Sequence, residues 1–307
     1  MRNKYLLFWC LVSLACTANG QSPNDGLMMP KKQLCILAQY ANGSWTEYWE
    51  GENKRENSNL GKFVAQSYML MGNYGLSKRW NLILGVPYIQ TKSDSYLKGQ
   101  QGIQDLSLWV KYHPLEWSTN KGALNIMTTG GVSTPLTNYV NDLLPLSIGL
   151  RSRTASLRGI FNYTFNFGLY TTIQGGHTWR SHTHIDRDSY IFNNQLVYSD
   201  EVRVPNVADG SLRIGFIKPR FQTEIWIEKN ACFSGDDIRY NDAPFPTNKM
   251  IATAAGFMAK GFITKQFALQ ASISQVLSGR NVGLATTYAA GCTYFFTVGK
   301  KADANAQ

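Results

Sequence analysis

The sequence predicts a transmembrane antiparallel up-and-down β-barrel of about twelve strands, and three observations predict it. Segments of about ten residues alternate apolar and polar with a period of two, as strands with one face in lipid and one in a lumen must. Past the first twenty residues no apolar run approaches the roughly 18 residues that a membrane-spanning helix needs. Charged residues are only 16% of the chain while aromatics reach 13%, against about 25% charge in an ordinary soluble protein.

The N-terminus reads as a leader. Arg2 and Lys4 make a positive start, Tyr5 to Ala15 an apolar stretch, and Ala18-Asn19-Gly20 a run of small residues suited to cleavage. The expected organisation is a signal peptide over 1–20, an N-terminal periplasmic segment over 21–32, the barrel over 33–298 and a periplasmic tail over 299–307. Loss of Arg2 and Lys4 leaves 28 Lys and Arg against 20 Asp and Glu. These basic residues are scattered, and no run could follow a phosphate backbone, so nucleic acid is not an expected partner.

The strands follow in order. Twelve are expected near 33–45, 62–74, 80–90, 103–113, 122–133, 154–164, 167–179, 210–218, 221–229, 249–260, 266–277 and 284–298. The clearest is the eleventh, where Phe267, Leu269, Ala271 and Ile273 oppose Ala268, Gln270, Ser272 and Ser274. In the fourth, Leu106, Leu108, Val110 and Tyr112 oppose Asp105, Ser107, Trp109 and Lys111. In the ninth, Phe221, Thr223, Ile225 and Ile227 oppose Gln222, Glu224, Trp226 and Glu228. The second strand, Lys62 to Tyr74, alternates poorly.

Connections alternate in length. Those at Ser77-Lys78-Arg79, Asn166, Pro219-Arg220 and Thr264-Lys265 are short. Residues 46–61, 91–102, 134–153, 180–209 and 230–248 are long and polar, and the connection from Pro114 to Lys121 is intermediate. Short periplasmic turns and long outer loops are the asymmetry expected of such barrels. Trp45, Tyr48, Trp49, Trp80, Tyr88, Tyr112, Trp117, Trp179, Tyr294 and Phe296 gather near strand ends, where amphipathic rings suit the membrane boundary. A secreted β-sandwich would also alternate, but it would rarely set Trp109 and Trp226 on its polar faces.

From Asn81 to Tyr112 the chain reads NLILGVPYIQTKSDSYLKGQQGIQDLSLWVKY. Gly85, Val86, Pro87 and Tyr88 end one strand; Gly102 and Asp105 lead into another that ends in Lys111 and Tyr112. This stretch resembles outer-membrane barrels associated with the meta-cleavage pathway of phenol degradation. The resemblance implies a barrel of about a dozen strands with a part in moving small, hydrophobic molecules across the outer membrane.

No phosphate loop, dinucleotide fingerprint, nucleophile elbow or zinc-protease helix appears, so no enzyme and no cofactor is expected. His182-Thr183-His184-Ile185-Asp186-Arg187-Asp188 could chelate a divalent ion if extended, but it reads better as a polar loop. His113 and His177 have no distinctive Ser or carboxylate partner. Of five cysteines, Cys35, Cys232 and Cys292 outlast the leader. Cys35 and Cys292 fall on neighbouring strands with opposite parity, which disfavours a disulfide.

The inward charges are the candidate functional residues: Asp105, Lys111, Arg158, Arg213, Glu224 and Glu228. As a set they either pair within a filled interior or shape the field of a pore. The expected function is a channel or transporter for small molecules in the cell outer membrane; the alternatives are a barrel that anchors binding loops and, third, a lipid-modifying barrel enzyme. The expected partners are outer-membrane lipid, a small-molecule solute and the barrel-assembly machinery.

Overall fold

Alternation of this kind satisfies backbone hydrogen bonds only if every strand finds two neighbours, and in a membrane that requires closure. The computed structural model describes residues 22–58, 61–240 and 242–299; the expected signal peptide, and the expected tail beyond Gly299, lie outside them. Twelve long strands run β1 Gln33–Trp45, β2 Phe63–Gly75, β3 Trp80–Ser93, β4 Asp105–Thr119, β5 Gly122–Pro135 and β6 Thr154–Phe165. They continue as β7 Leu169–Arg180, β8 Val207–Lys218, β9 Phe221–Cys232, β10 Ile251–Phe262, β11 Phe267–Arg280 and β12 Thr286–Thr297. Each pairs antiparallel with the next, and β1 pairs with both β2 and β12, which closes the barrel. The fold is a transmembrane up-and-down β-barrel of twelve strands.

β4 departs most from its expected bounds. Pro114 has no N–H to give to the ladder, and the register shifts between Tyr112 and Leu115. The strand absorbs Pro114 in this bulge and continues to Thr119, so the connection to Gly122 is a two-residue turn rather than one of intermediate length.

β2 alternates weakly in sequence because its inner face is apolar too. Met71 packs with Leu37 and Ile83, and Met69 and Trp109 lie against them. The interior is therefore wet in part and greasy in part. The outer face is apolar almost throughout: Leu84, Leu157, Phe161, Ile173, Leu212 and Leu269 stand exposed, and Ile225 is 56% exposed. A belt of this extent has no place on a protein surface in water.

Glycines let the large inner rings lie along the wall instead of across the lumen. A Cβ at Gly131 would run into the Trp109 ring, and one at Gly256 into Trp226. The Trp109 and Gly131 positions are direct register partners, as are Trp226 and Gly256.

Candidate functional site: a lumen filled from both ends

The barrel encloses its own N-terminal segment. Residues 22–30, expected as a stretch of periplasmic chain, run inside the wall at the short-turn end. Asp25 organises the segment by accepting from the Ser22 and Leu27 backbone N–H groups at 2.7 and 3.1 Å. Lys111 then fastens it. Its Nζ lies 2.8 Å from Asp25 Oδ1, 2.5 Å from the Asp25 carbonyl and 2.9 Å from the Leu27 carbonyl. The side chain is 0% exposed. An ammonium so buried requires this shell of acceptors.

Five further contacts seat the segment. Thr129 Oγ1 donates to the Pro23 carbonyl at 3.1 Å, and Arg158 Nη1 donates to Asn24. Gly26 abuts Asn162 so closely that a Cβ would collide with its side chain. The Asn81 amide, oriented to satisfy both groups, accepts from the Met29 N–H at 2.6 Å and donates to the Met29 carbonyl at 3.1 Å. The Met29 side chain enters an apolar socket of Cys35, Phe295 and Phe262.

Four of the other five candidate charges make ion pairs. Arg158 meets Asp209 at 2.6 Å. Arg213 meets Glu224 at 2.8 Å and Glu228 at 3.8 Å, with its guanidinium over the Trp226 ring. Tyr170 donates to the second oxygen of Glu224 at 2.9 Å, and Gln222 donates to Tyr170 at 2.9 Å. Lys111 and Arg158 thus hold the segment, Arg213, Glu224 and Glu228 form a separate network, and Asp105 stands apart at the opposite rim. Asp25, Asn24, Asp209, Tyr170 and Tyr139 were not among the candidates. Parity would have reached Asp209, two steps of two before Arg213 on β8; nothing periodic marks Asp25.

At the long-loop end, residues 136–153 fold down into the mouth. The Leu146 carbonyl accepts from Thr91 Oγ1 at 2.5 Å. Tyr139 donates to Asp105 at 2.9 Å and accepts from the Arg151 N–H at 2.9 Å. Burial, and then the Asp105 carboxylate, push the Tyr139 hydroxyl well above the usual phenol range. Asn141 donates to Thr183 at 2.6 Å and Asp142 takes Arg187 at 2.6 Å, tying this loop to residues 181–206. On the other side Arg280 clamps Asp237 at 2.6 Å and Glu52 at 2.7 Å. Hydrogen bonds from Arg280 hold the Asp237 carboxyl below its ordinary range. The loops enclose a cavity of about 900 Å³ whose lining includes Tyr96, Leu143, Tyr190, Ile191, Leu196 and Phe245.

The histidine cluster does not converge on a point. His182 faces Glu201 at 2.9 Å and His184 faces Asp200 at 3.1 Å, each across a short two-stranded ladder within the loop. Among the described residues no three metal-ligating side chains come together. Cys35, Cys232 and Cys292 are all free; Cys35 points inward with Phe295, and Cys292 stands opposite Ala38 on the outer face.

No protein-family model and no curated protein matches this chain. Among solved structures it is similar to the COG4313 outer membrane channel from Pseudomonas putida F1, with a TM-score of 0.72 and 16% identity over 90% of this chain and 99% of that one. It is also similar, at a TM-score of 0.49 and 10% identity, to the NanC porin, covering 85% of this chain and 98% of that one. The first likeness is one of fold, and it places this chain's architecture with outer-membrane barrels.

Proposed function

We propose that the protein is an outer-membrane channel for small molecules, apolar ones among them, closed at rest by its own N-terminal segment. In this reading the short turns face the periplasm and the long loops face outward. The observation that carries it is the Lys111 clamp. A barrel built only as an anchor has no use for a segment seated inside its lumen around one buried ammonium, whereas a gate needs an element that can be held or released. The greasy inner surface of Leu37, Met71 and Ile83 supports a solute with apolar surface.

The test is conductance in planar bilayers. Wild-type chain is expected to give small, infrequent openings; Lys111→Met, which keeps an unbranched side chain of nearly the same length and removes its charge, is expected to give larger and longer ones. If neither conducts, the channel reading is wrong. The second reading, a barrel that anchors a binding surface, would then stand in its place, favoured by the 900 Å³ cavity among the loops.

A further inference from the structure

Most inward cations of the wall are matched within the protein: Lys111 by Asp25, Arg158 by Asp209 and Arg213 by Glu224. Lys260, near the short-turn end of β10, is not. Its side chain is 3% exposed, yet among the described residues it makes no ion pair and no hydrogen bond. Its Nζ lies over rings, 4.8 Å from the Phe262 centroid and 5.3 Å from Phe295. Asp25, a carboxylate within its electrostatic reach, is already engaged by Lys111 at 2.8 Å.

The wall beside it is built in sequence. Along one hydrogen-bonded row, Lys260 is followed by Gln270, Gly291, Gln39 and Met69. Gln270 donates to Gln39 at 3.0 Å across Gly291, where a side chain would run into the Ala38 carbonyl and crowd Gln39. A cation, two amides, a gap with no side chain and then the Met69, Met71 and Leu37 surface therefore succeed one another. Strands lie about 4.8 Å apart, so the three steps from Lys260 to Gln39 span roughly 14 Å of wall.

We infer that Lys260 is the head-group site of the lumen and that it takes the carboxylate of an organic monoanion whose apolar body lies over Gly291 toward Met69. Unpaired positive charge favours an anion, and the rings of Phe262 and Phe295 lie against the ammonium without neutralising it. The neighbouring amides give the carboxylate hydrogen-bond partners, and the greasy patch takes the rest of the molecule. The inference deepens the channel reading and rests on solute reaching the lumen.

The test is equilibrium dialysis of 4-phenylbutanoate against the full chain in lipid nanodiscs, with empty nanodiscs subtracted. The expected result is saturable binding of one anion per chain that neutral 4-phenylbutanol does not displace. Lys260→Gln should weaken it at least about tenfold, the factor that about 1.4 kcal/mol represents. Lys260→Arg should retain it, and Lys229→Gln, which changes an exposed lysine of the outward parity on β9, should leave it unchanged. Equal binding by Lys260→Gln, or equal competition by the alcohol, overturns the inference. Because dialysis needs no conductance, Lys260-dependent binding in a barrel silent in planar bilayers would keep this site and sink the channel reading. Conducting barrels without such binding would do the reverse.

Discussion

A buried ion can be removed safely only with its partner, and the lumen offers a clean case. Glu224 is 7% exposed and leans on Arg213 Nη1 at 2.8 Å and on the Tyr170 hydroxyl. Replacing Arg213 with Met leaves that carboxylate with one neutral donor, and truncations of this kind cost about 2 to 5 kcal/mol. The expected outcome is a fall of that size in unfolding free energy in lipid vesicles. Adding Glu224→Gln to Arg213→Met should recover most of it, since an amide needs no counter-ion. If the double variant is as unstable as the sum of the two single changes, the residues act independently and the network reading is wrong.

Strands and loops obey different constraints, and glycine exposes the difference. Gly256, on the inner face of β10, lies under the Trp226 ring, while Gly159, on the outer face of β6, has nothing within 4 Å of where a Cβ would stand. Gly256→Val should push the ring into the lumen and cost about 1 to 3 kcal/mol, the usual range for overpacking; Gly159→Ala should be neutral or slightly stabilising. Urea unfolding from vesicles reads both, and equal effects would show that the inner rings are not wedged as described. Among the loops, the Asp237 clamp is pH-sensitive. The folded carboxyl is depressed by Arg280, so its contribution is complete above the unfolded value of about 3.9 and is lost as pH falls through the lower folded value. Hydrogen exchange of residues 233–250 should therefore quicken as pH drops below about 4, after correction for intrinsic rates. Asp237→Asn should remove that step, and a step that survives the substitution assigns it to another group.

At the scale of the whole molecule, what was legible in the sequence is what depends on period. The barrel wall repeats every two residues, so the β1 bounds are as expected, and β9 and β11 begin within a residue of expectation. The lumen's contents do not repeat. Lys111 is marked by parity on β4, but its partner Asp25 lies 86 residues away in a segment with no period, and Tyr139 reaches Asp105 from a loop that reads only as polar. The stretch from Pro114 to Lys121 reads as a connection of intermediate length, whereas the bulge that carries the strand past Pro114 is a property of the strand pair.

The barrel has a consequence that no sandwich shares. Leu269 and Ile273 project from β11 beside Ala271 on the outer face, with Leu269 48% exposed, while Gln270 turns inward to Gln39. Arginine at Leu269 or Ile273 places a charge in hydrocarbon, at a cost of about 2 to 4 kcal/mol near the midplane. Arginine at Ser272, on the inner face, should cost much less because the lumen can hydrate it. A soluble sandwich would also be destabilised by Leu269→Arg, so the distinguishing measurement is folding in lipid vesicles beside folding in plain buffer. The outward face of Leu84, Leu157, Phe161, Ile173 and Ile225 has no partner among the described residues, and water cannot supply one. Cooperative folding should therefore require an amphiphile, and the Leu269→Arg penalty should be read only in its presence. A mature chain that folds cooperatively in buffer alone would mean that this belt is buried against protein, and the membrane assignment would fall with it.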